Sequence, residues 1–593
     1  MIKLIKKYMR GSWGWAIAAP LCMLLEVYTD LMQPALMADI IDIGVANGDV
    51  GFIVSAGFKM MMYAIVGLTL GLGCVAAASI ASTSFAERLR RSFFSHIQTF
   101  SYEDLDIFKS SSLITRMTND IVQIQQMVMM ALRMMVRSPF LSIGGVIMAY
   151  RLSPSLSLAL VVAVPLLLLV TVFLMRRALP MFMTMQTKID KINGIVRENL
   201  LGVKVVKSFV SQEQEIRRFG EANNDLMSWS IRAMRNMNLL FPLGNFFMNM
   251  SVVAILWFGG SMAISGTLET GKIMAFINYL IQIMSSLTMV VMMSMNLSRA
   301  QVATQRINEV LDTQPGMRDG AATVEVAAAA DRAATDGAAA DRAGYDIEFR
   351  DVSFRYHNSG EWVLKHIDLT IPEGETVGII GTTGSGKSTL ASLIPRLYEA
   401  TEGNVLVGGR DVRDYPLAGL RKKIGMVLQD TILFAGTVED NLRFGKETAT
   451  EDDLREAAED AQALSFILEK EKGFRTRVEQ RGRNFSGGQR QRLSIARTLI
   501  RKPEILILDD AASAVDLVTE AKIREAINRR IGSCTVIIIA QRIAAVRDAG
   551  LILVMNEGEI EARGTHEELL RSSEVYRHVV AAQLGEEAVA HAG

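Results

Sequence analysis

Hydrophobic residues are distributed very differently in the two halves of the chain. Up to about residue 300, long apolar runs recur, and several reach the length of about 20 residues that crosses a hydrocarbon core. After residue 345 the apolar runs shorten to strand length and alternate with polar, glycine-containing turns. The pattern predicts a membrane half followed by a soluble half. We predict six spans, at about residues 15–37, 58–84, 134–150, 153–175, 239–264 and 272–298.

The segments between the spans are also interpretable. The third and fourth predicted spans are separated by the short turn 150–154 and should form a helical hairpin. Residues 85–133 and 176–238 are rich in Arg and Lys and have helical character, so we predict cytoplasmic extensions of the spans. The first ten residues, MIKLIKKYMR, predict a surface helix at the headgroups and do not resemble a cleaved signal peptide.

Charge placement predicts the orientation in the membrane. Residues 1–312 hold 27 Lys+Arg and 19 Asp+Glu, a net charge of +8, and the remainder has a net charge of −8. Four basic residues precede the first span, and none follows between Arg10 and Lys59, so the N-terminus should be cytoplasmic.

The whole chain has 63 Lys+Arg and 63 Asp+Glu, which argues against a nucleic-acid binder. Its three Cys exclude a disulfide-stapled scaffold.

The first span contains acidic residues, which are costly in lipid. Asp39 and Asp42 are expected at the outer interface. For Glu26 and Asp30 two interpretations stay open: a substrate or ion pathway, or a wet interior cavity that binds nothing specific.

Composition places the domain boundaries. Residues 1–312 form the predicted membrane domain, with a surface helix before the first span. Residues 313–344 are rich in Ala, Asp and Gly and lack the apolar periodicity of a core, which predicts a tether. Residues 345–593 form the second domain and end in a short polar tail.

A phosphate-binding loop is the sharpest motif of the second domain. The segment GTTGSGKST matches G-x-x-x-x-G-K-[ST] between an apolar strand and a helical segment, TLASLIPRLY. Backbone N–H groups of such a loop wrap phosphates, Lys387 supplies positive charge, and the Ser388 hydroxyl ligates Mg²⁺. The predicted ATP-binding loop comprises Gly381, Thr382, Thr383, Gly384, Ser385, Gly386, Lys387, Ser388 and Thr389.

A second apolar strand, residues 504–508, ends in Asp509 and Asp510. Strands of this kind are common in parallel sheets, but together with the phosphate loop the strand indicates the Walker B arrangement. Asp509 is then expected to hold the Mg²⁺ shell.

The sequence NFSGGQ, followed by a helix, resembles the signature of the ATP-binding cassette (ABC) transporter family. The resemblance implies that Ser486, Gly487, Gly488 and Gln489 grip ATP held by another subunit's phosphate loop. It also implies that Gln429 touches Mg²⁺ and water, that Tyr356 stacks on adenine, and that Asp516 is the D-loop acid. A strand tyrosine packed in a core is the alternative for Tyr356.

The membrane half is similar to the type IV exporters of this family at residues 115–120, TRMTND, and 198–209, ENLLGVKVVKSF. The resemblance implies short coupling helices near 101–108 and 209–216. The implied fold is an α-helical six-span transmembrane domain with long cytoplasmic helices, joined to an α/β P-loop ATP-binding cassette domain.

Two positions depart from the family's pattern. The family follows the Walker B Asp with a catalytic Glu, where this chain has the shorter Asp510, and it has a switch His where this chain has Gln541. A base must come within hydrogen-bond reach, and an amide cannot carry the proton that imidazole carries. We interpret the chain's own site as degenerate: it binds Mg-ATP and cleaves it slowly. Tolerated variants in an active site are the alternative.

A homodimer would then have two impaired sites. The resemblance therefore implies a heterodimer whose partner half-transporter has the Glu and His, while the SGGQ of this chain completes the partner's site. The alternatives are a self-sufficient homodimeric exporter and an ATP-gated channel or regulatory subunit. The apolar, Met-rich spans suit a hydrophobic drug or lipid as substrate, and the location is the cell membrane, with both the N-terminus and the ATP-binding domain cytoplasmic.

Overall fold

The computed structural model describes residues 1–317, 319, 345–357, 360–511, 513–530 and 534–584. Most of the predicted tether and the predicted polar tail, 585–593, lie outside these residues. The chain forms two compact units. The helical unit combines Met1–Gln98 with Ser111–Thr313, and the α/β unit combines Thr99–Ser110 with Gln314–Gly593.

The helical unit begins with a short helix at the position of the predicted surface helix, and its longest helix has 48 residues. At 1.5 Å per residue, that helix is about 72 Å long, more than twice the thickness of a hydrocarbon core. The α-helices of the helical unit are Ile2–Tyr8, Trp13–Asp39, Val50–Ile97, Ser110–Thr115, Ile121–Leu152, Leu158–Leu201, Val203–Ser208, Gln212–Asn238, Leu240–Ile264 and Thr270–Asp312, with π-helical turns at Ile40–Val45 and Arg116–Asp120.

Within the described residues, five helical segments are long and apolar enough to cross a membrane. Each overlaps one of the first five predicted spans: Trp13–Val45, Val50–Ile97, Ser110–Leu152, Leu160–Leu201 and Gln212–Ile264. The sixth predicted span falls in the helix Thr270–Asp312, which is not among the five, and the count of six stays a prediction.

Asp42 has a specific role in the helical unit. Its carboxylate accepts hydrogen bonds from the backbone N–H groups of Gly271 at 2.5 Å and Lys272 at 3.1 Å. These are free N–H groups in the first turn of the helix Thr270–Asp312, so Asp42 caps that helix from a distant part of the chain. Asp39, by contrast, is exposed.

The second predicted coupling segment differs from expectation. In place of a short helix over 209–216, the structure has the helix Val203–Ser208, then a turn, and then the long helix Gln212–Asn238. Val210 in the turn has a φ of +52°, a conformation that interrupts a helix. The helix boundary therefore falls before residue 212.

The α/β unit is built on β-sheets. Its strands are β1 Ile347–Phe354, β2 Leu364–Ile371, β3 Thr376–Gly381, β4 Glu402–Val407, β5 Arg410–Asp411, β6 Ile424–Val427, β7 Gly436–Thr437, β8 Arg477–Val478, β9 Ile505–Asp509, β10 Thr535–Ile539, β11 Leu551–Asn556 and β12 Glu559–Gly564. One sheet has five parallel strands and one antiparallel edge strand, in the order β12-β11-β3-β10-β9-β6. A second, antiparallel sheet has the order β2-β1-β4-β5, and β7 pairs with β8.

Strands β3, β9 and β10 are almost entirely apolar and buried, as expected of parallel strands covered on both faces. The helix after the phosphate loop, Lys387–Leu393, is shorter than predicted, because Pro395 has no backbone N–H with which to continue the helical hydrogen bonds. The α-helices of this unit are Tyr102–Phe108, Lys387–Leu393, Leu417–Lys423, Val438–Arg443, Glu451–Asp460, Leu464–Leu468, Gly487–Leu499, Leu517–Arg530, Ile543–Val546, His566–Ser572 and Glu574–Leu584.

The short helix Tyr102–Phe108 lies where the first coupling helix is predicted, and it packs within the α/β unit. Each of its acidic residues has a partner there. Glu103 faces His357 Nδ1 at 3.3 Å, and Asp104 accepts a hydrogen bond from the backbone N–H of Gly316 at 3.1 Å. Asp106 accepts one from the Tyr398 hydroxyl at 2.9 Å.

Candidate nucleotide-binding site

The predicted site residues lie at one edge of the parallel sheet. The phosphate loop follows β3, Asp509 ends β9, and Gln541 follows β10. Gln429 follows β6 at the same edge. Because neighbouring strands of the set are parallel, their carboxyl ends coincide, and this edge is where α/β sheets bind ligands.

The phosphate loop leads directly into a helix N-terminus. Gly386 has a φ of +95°, and a Cβ there would lie 2.9 Å from the Val363 carbonyl oxygen, so glycine is required. Lys387 is buried, and its ammonium group donates to the carbonyls of Gly381 at 3.0 Å and Thr382 at 2.7 Å. Burial lowers the pKa of Lys387, which the nearby Asp509 and Asp510 carboxylates oppose.

Ser388 and Asp509 form an oxygen pair suited to a hard cation. The Ser388 hydroxyl donates to Asp509 Oδ1 at 2.9 Å, and Asp509 is 5% exposed. Burial raises the pKa of Asp509, and the hydrogen bond from Ser388 opposes this rise. Mg²⁺ prefers a few oxygen ligands alongside substrate phosphates, so this pair fits the ion. Ser388 and Asp509 would hold it, and Gln429 is the third predicted ligand.

Asp510 interacts with two side-chain amides. Its Oδ2 lies 3.3 Å from Gln429 Nε2 and 3.5 Å from Gln541 Nε2. Its backbone has a φ of +48°, an uncommon conformation that Asp tolerates better than most residues. Burial raises the pKa of Asp510, and the hydrogen bond from Gln429 opposes this effect. The departures at 510 and 541 are therefore in direct contact.

The surroundings of Tyr356 combine features of a tyrosine packed in a core and of a tyrosine beside a nucleotide. Its hydroxyl and that of Thr389 share a hydrogen bond of 2.9 Å. Its ring packs edge-on against Phe354, with centroids 4.9 Å apart, and against Tyr398, at 5.2 Å. The half-buried ring nevertheless lines the same cavity as the phosphate loop.

That cavity has a volume of about 300 Å³ and brings most of the predicted residues together. Its lining comprises Tyr356, Val363, Thr383, Gly384, Gly386, Lys387, Ser388, Thr389, Gln429, Asp509, Asp510, Ile539, Ala540 and Gln541. Gly381, Thr382 and Ser385 belong to the same loop but are not among the lining residues. Sequence reasoning missed Val363, Ile539 and Ala540, although the last two directly precede Gln541 in the chain.

The signature residues and Asp516 lie outside this cavity. Ser486 and Gln489 form reciprocal hydrogen bonds at the start of the helix Gly487–Leu499, with lengths of 3.3 and 3.0 Å. Ser486 is exposed, and the Asp516 carboxylate accepts from the backbone N–H of Thr519 at 2.9 Å. The signature therefore lies at a helix N-terminus, with Ser486 on the surface of the unit.

Comparison with known families decides the assignment. Residues 16–287 match the family described as the ABC transporter transmembrane region, and residues 364–513 match the family described as ABC transporter. An uncharacterized ABC transporter ATP-binding protein of Bacillus subtilis, YfiB, is 38% identical over 96% of both chains. The chain belongs to the ABC transporter family. An uncharacterized ABC transporter ATP-binding protein of Mycobacterium tuberculosis is 37% identical over 98% of both chains.

A solved structure supports the fold of this ABC transporter. A bacterial Atm1-family ABC exporter with ATP bound superposes with a TM-score of 0.78, at 23% sequence identity, covering 96% of this chain and 98% of the other. The predicted combination of a helical membrane domain and an ATP-binding domain in one chain is confirmed. Family membership implies an ATP-hydrolysing transporter that spans the membrane several times.

Proposed function

We propose that the protein is one subunit of a heterodimeric ATP-driven exporter of hydrophobic compounds, and that its own phosphate-loop site cleaves ATP slowly. The contact of Asp510 with Gln541 carries this proposal. At the position of the family's catalytic Glu stands a carboxylate one methylene shorter, and at the position of the switch His stands a neutral amide.

The chemistry of this pair favours binding over hydrolysis. A general base must reach its proton within about 2.6–3.2 Å, so a carboxylate withdrawn by about 1 Å is poorly placed. The Gln541 amide can donate a hydrogen bond but cannot take up a proton as imidazole does. The pKa of Asp510 is raised, but this shift does not bring its carboxylate closer to the proton that a general base must remove. Lys387, Ser388 and Asp509 retain the chemistry that Mg-ATP binding requires.

The signature supports a contribution to a second site. The exposed Ser486 hydroxyl and the backbone N–H groups at the N-terminus of the helix Gly487–Leu499 can donate hydrogen bonds to the phosphate oxygens of ATP held by another chain. In this proposal Ser486, Gly487, Gly488 and Gln489 complete the competent site of a partner that carries Glu and His. Asp516, beside the signature in the fold, contributes to the same interface.

The direction of transport, the substrate class and the orientation belong to the same proposal. A Bacillus subtilis protein 32% identical to this chain over 84% of it, and over 83% of its own length, is provisionally named a multidrug export ATP-binding/permease protein. The apolar spans suit hydrophobic substrates. The basic N-terminal residues favour insertion in the cell membrane with the N-terminus and ATP-binding unit in the cytoplasm.

Steady-state Mg-ATP turnover by the purified chain, compared with the double variant Asp510→Glu/Gln541→His, tests the proposal. ATP binding is confirmed for both proteins. We expect bound ATP with negligible turnover by the natural chain and a gain in the double variant. Brisk turnover by the natural chain alone would contradict the proposal and support a self-sufficient homodimeric exporter.

A further inference from the structure

One buried side chain joins the signature helix to the segment that follows β9. Gln491 lies in the helix Gly487–Leu499 and is 6% exposed. Its Nε2 donates to the Ser513 hydroxyl at 3.0 Å, and its Oε1 accepts from the backbone N–H of Ala514 at 2.9 Å. Because a backbone N–H can only donate, the contact with Ala514 fixes which end of the amide faces each partner. Both polar ends of the Gln491 side chain are therefore satisfied by one neighbouring segment.

The same face of the signature helix also approaches that segment through a glycine. Gly488 lies three residues before Gln491 and therefore on the same side of the helix. A Cβ at position 488 would lie 2.7 Å from the carbonyl oxygen of Ala514, closer than a side chain and a backbone atom normally come. The backbone of Ala514 cannot rotate away as a side chain can, so this close contact requires glycine. Packing within the chain thus accounts for the second glycine of the signature.

The segment attached to Gln491 carries two of the predicted site residues. Ser513 and Ala514 lie between Asp510, at the position of the family's catalytic Glu, and Asp516, the predicted D-loop acid. The backbone N–H of Ser513 donates to the Asp510 carbonyl at 3.3 Å. Ser513 and Ala514 are exposed, so little packing holds these two residues themselves. The buried amide of Gln491 supplies their attachment to the signature helix.

We propose that Gln491 is a positioning residue, which holds the signature helix and residues 513–516 together as one surface for the ATP of another chain. The inference rests on the proposed function in taking the signature as part of a site shared with a second chain. The Gln491 side chain is buried and its amide bonds to Ser513 and Ala514, so it acts through the signature and Asp516 and does not itself touch ATP.

A preformed surface strengthens ATP binding because its parts need not be ordered when the two chains meet. Without the two hydrogen bonds of Gln491, part of the binding free energy is used to bring residues 513–516 and the signature into register. Loss of hydrogen bonds of this kind corresponds to a change in affinity of about fivefold. ADP is one phosphate shorter and depends chiefly on the chain's own phosphate loop, so its affinity should change little.

The test uses the full chain, with two copies in each lipid nanodisc. It compares the affinity for adenylyl imidodiphosphate, an ATP analogue that is not hydrolysed, with the affinity for ADP, both measured in Mg²⁺ by competition against a fluorescent nucleotide. Gln491→Met keeps nearly the same length but has no amide. We expect this variant to bind the analogue about fivefold more weakly and ADP less than about twofold more weakly. Unchanged analogue binding, or an equal loss for both nucleotides, overturns the proposal.

Ser513→Ala tests the same attachment from its exposed side and remains informative if Gln491→Met does not fold. It removes one of the two hydrogen bonds, and we expect about threefold weaker analogue binding with ADP binding unchanged. In the double variant it should add nothing to the effect of Gln491→Met, because the bond is already lost. No effect of Ser513→Ala alone, or two effects that multiply in the double variant, overturns the proposal.

Thr498→Val is the matched control on the same helix. Its buried hydroxyl donates, among the residues that the structure describes, to the Ser494 carbonyl at 3.0 Å and not to residues 513–516. We expect both affinities to stay within about twofold, and a loss as selective as that of Gln491→Met would overturn the proposal. Because the analogue is not cleaved, the result does not depend on turnover, and its failure is distinguishable from failure of the degenerate-site proposal.

Discussion

The side-chain amide of Gln541 lies 3.5 Å from the carboxylate of Asp510, and the amide of Gln429 lies 3.3 Å from the same oxygen. Asp510 and Gln541, the two residues that differ from the family's pattern, are therefore in direct contact. Groups in contact do not act independently, so the effects of changing them should not simply combine.

A double-mutant cycle tests this relationship. Asp510→Glu alone restores the reach of the carboxylate but leaves the neutral Gln541 amide beside it. Gln541→His alone leaves the carboxylate at position 510 too short. We expect each single variant to gain little Mg-ATP turnover and the double variant to gain about tenfold or more beyond their product. Steady-state phosphate release at saturating ATP measures the four proteins. Gains that multiply without excess would show that the two positions are uncoupled.

Removal of the Ser388 hydroxyl should affect only metal-dependent binding. The hydroxyl contacts Asp509 at 2.9 Å, in the position expected of a Mg²⁺ ligand. We expect Ser388→Ala to weaken ATP binding about tenfold in Mg²⁺ and by less than about twofold in EDTA. Fluorescent-nucleotide titration measures both. Ser392→Ala is the matched control, because that hydroxyl lies one turn later and, among the residues that the structure describes, donates only to the helix backbone, at 2.6 Å. An equal loss with and without Mg²⁺ would contradict the assignment.

Tyr398 should hold the helix Tyr102–Phe108 in place. Its hydroxyl donates to Asp106 at 2.9 Å, and burial, followed by this contact, raises the pKa of Tyr398. Tyr398→Phe removes the donor to Asp106, whose exposed carboxylate water can then solvate, and we expect a loss of about 1 kcal/mol in the free energy of unfolding of the α/β unit. Tyr102→Phe, whose ring contacts Tyr398 from a more exposed position, should cost less than about 0.5 kcal/mol. Chemical denaturation of the full chain measures both, and equal costs would refute the specific role of Tyr398.

Asp460 should make stability depend on pH. Burial raises the pKa of this carboxyl to about 6, above its ordinary value of 3.8. Ionised Asp460 is therefore unfavourable in the folded protein above pH 6, and the penalty disappears as pH falls towards 4. Because the group is partly exposed, we expect Asp460→Asn to stabilise the protein by only about 1 kcal/mol at pH 8 and by nothing near pH 4.

Thermal denaturation across that range of pH measures the effect. Glu471→Gln, at an exposed position after the helix Leu464–Leu468, serves as the control and should show no such trend. Stabilisation by Asp460→Asn that is equal at pH 4 and pH 8 would rule out titration as the cause.

Local patterns predicted the elements around the phosphate loop because their signals span only a few residues. The loop lies between β3 and a helix, and Asp509 ends a buried strand, as their order in the sequence indicated. The helix after the loop ends earlier than predicted, although Pro395 was a visible local signal. Placement of the second coupling segment failed where a single backbone conformation, at Val210, sets the boundary.

Long-range partners could not be predicted in this way. Asp42 caps a helix that begins more than 200 residues later, and Arg137 forms an ion pair with Glu26 across 111 residues. No periodicity or motif links such positions, because only the packed chain brings them together. The sequence showed that acids occur in the first span, and the structure supplied their partners.

The packing of the helix Tyr102–Phe108 within the α/β unit has a consequence for biosynthesis. Asp106 leaves the ribosome 292 residues before Tyr398, its hydrogen-bond partner. At about 5–20 residues per second, that separation corresponds to roughly 15–60 s of translation. Throughout that interval Asp106 is without the hydroxyl that donates to it in the folded protein. The segment that joins two spans is therefore made early and completed late, and the C-terminal sequence alone does not supply every helix of the α/β unit.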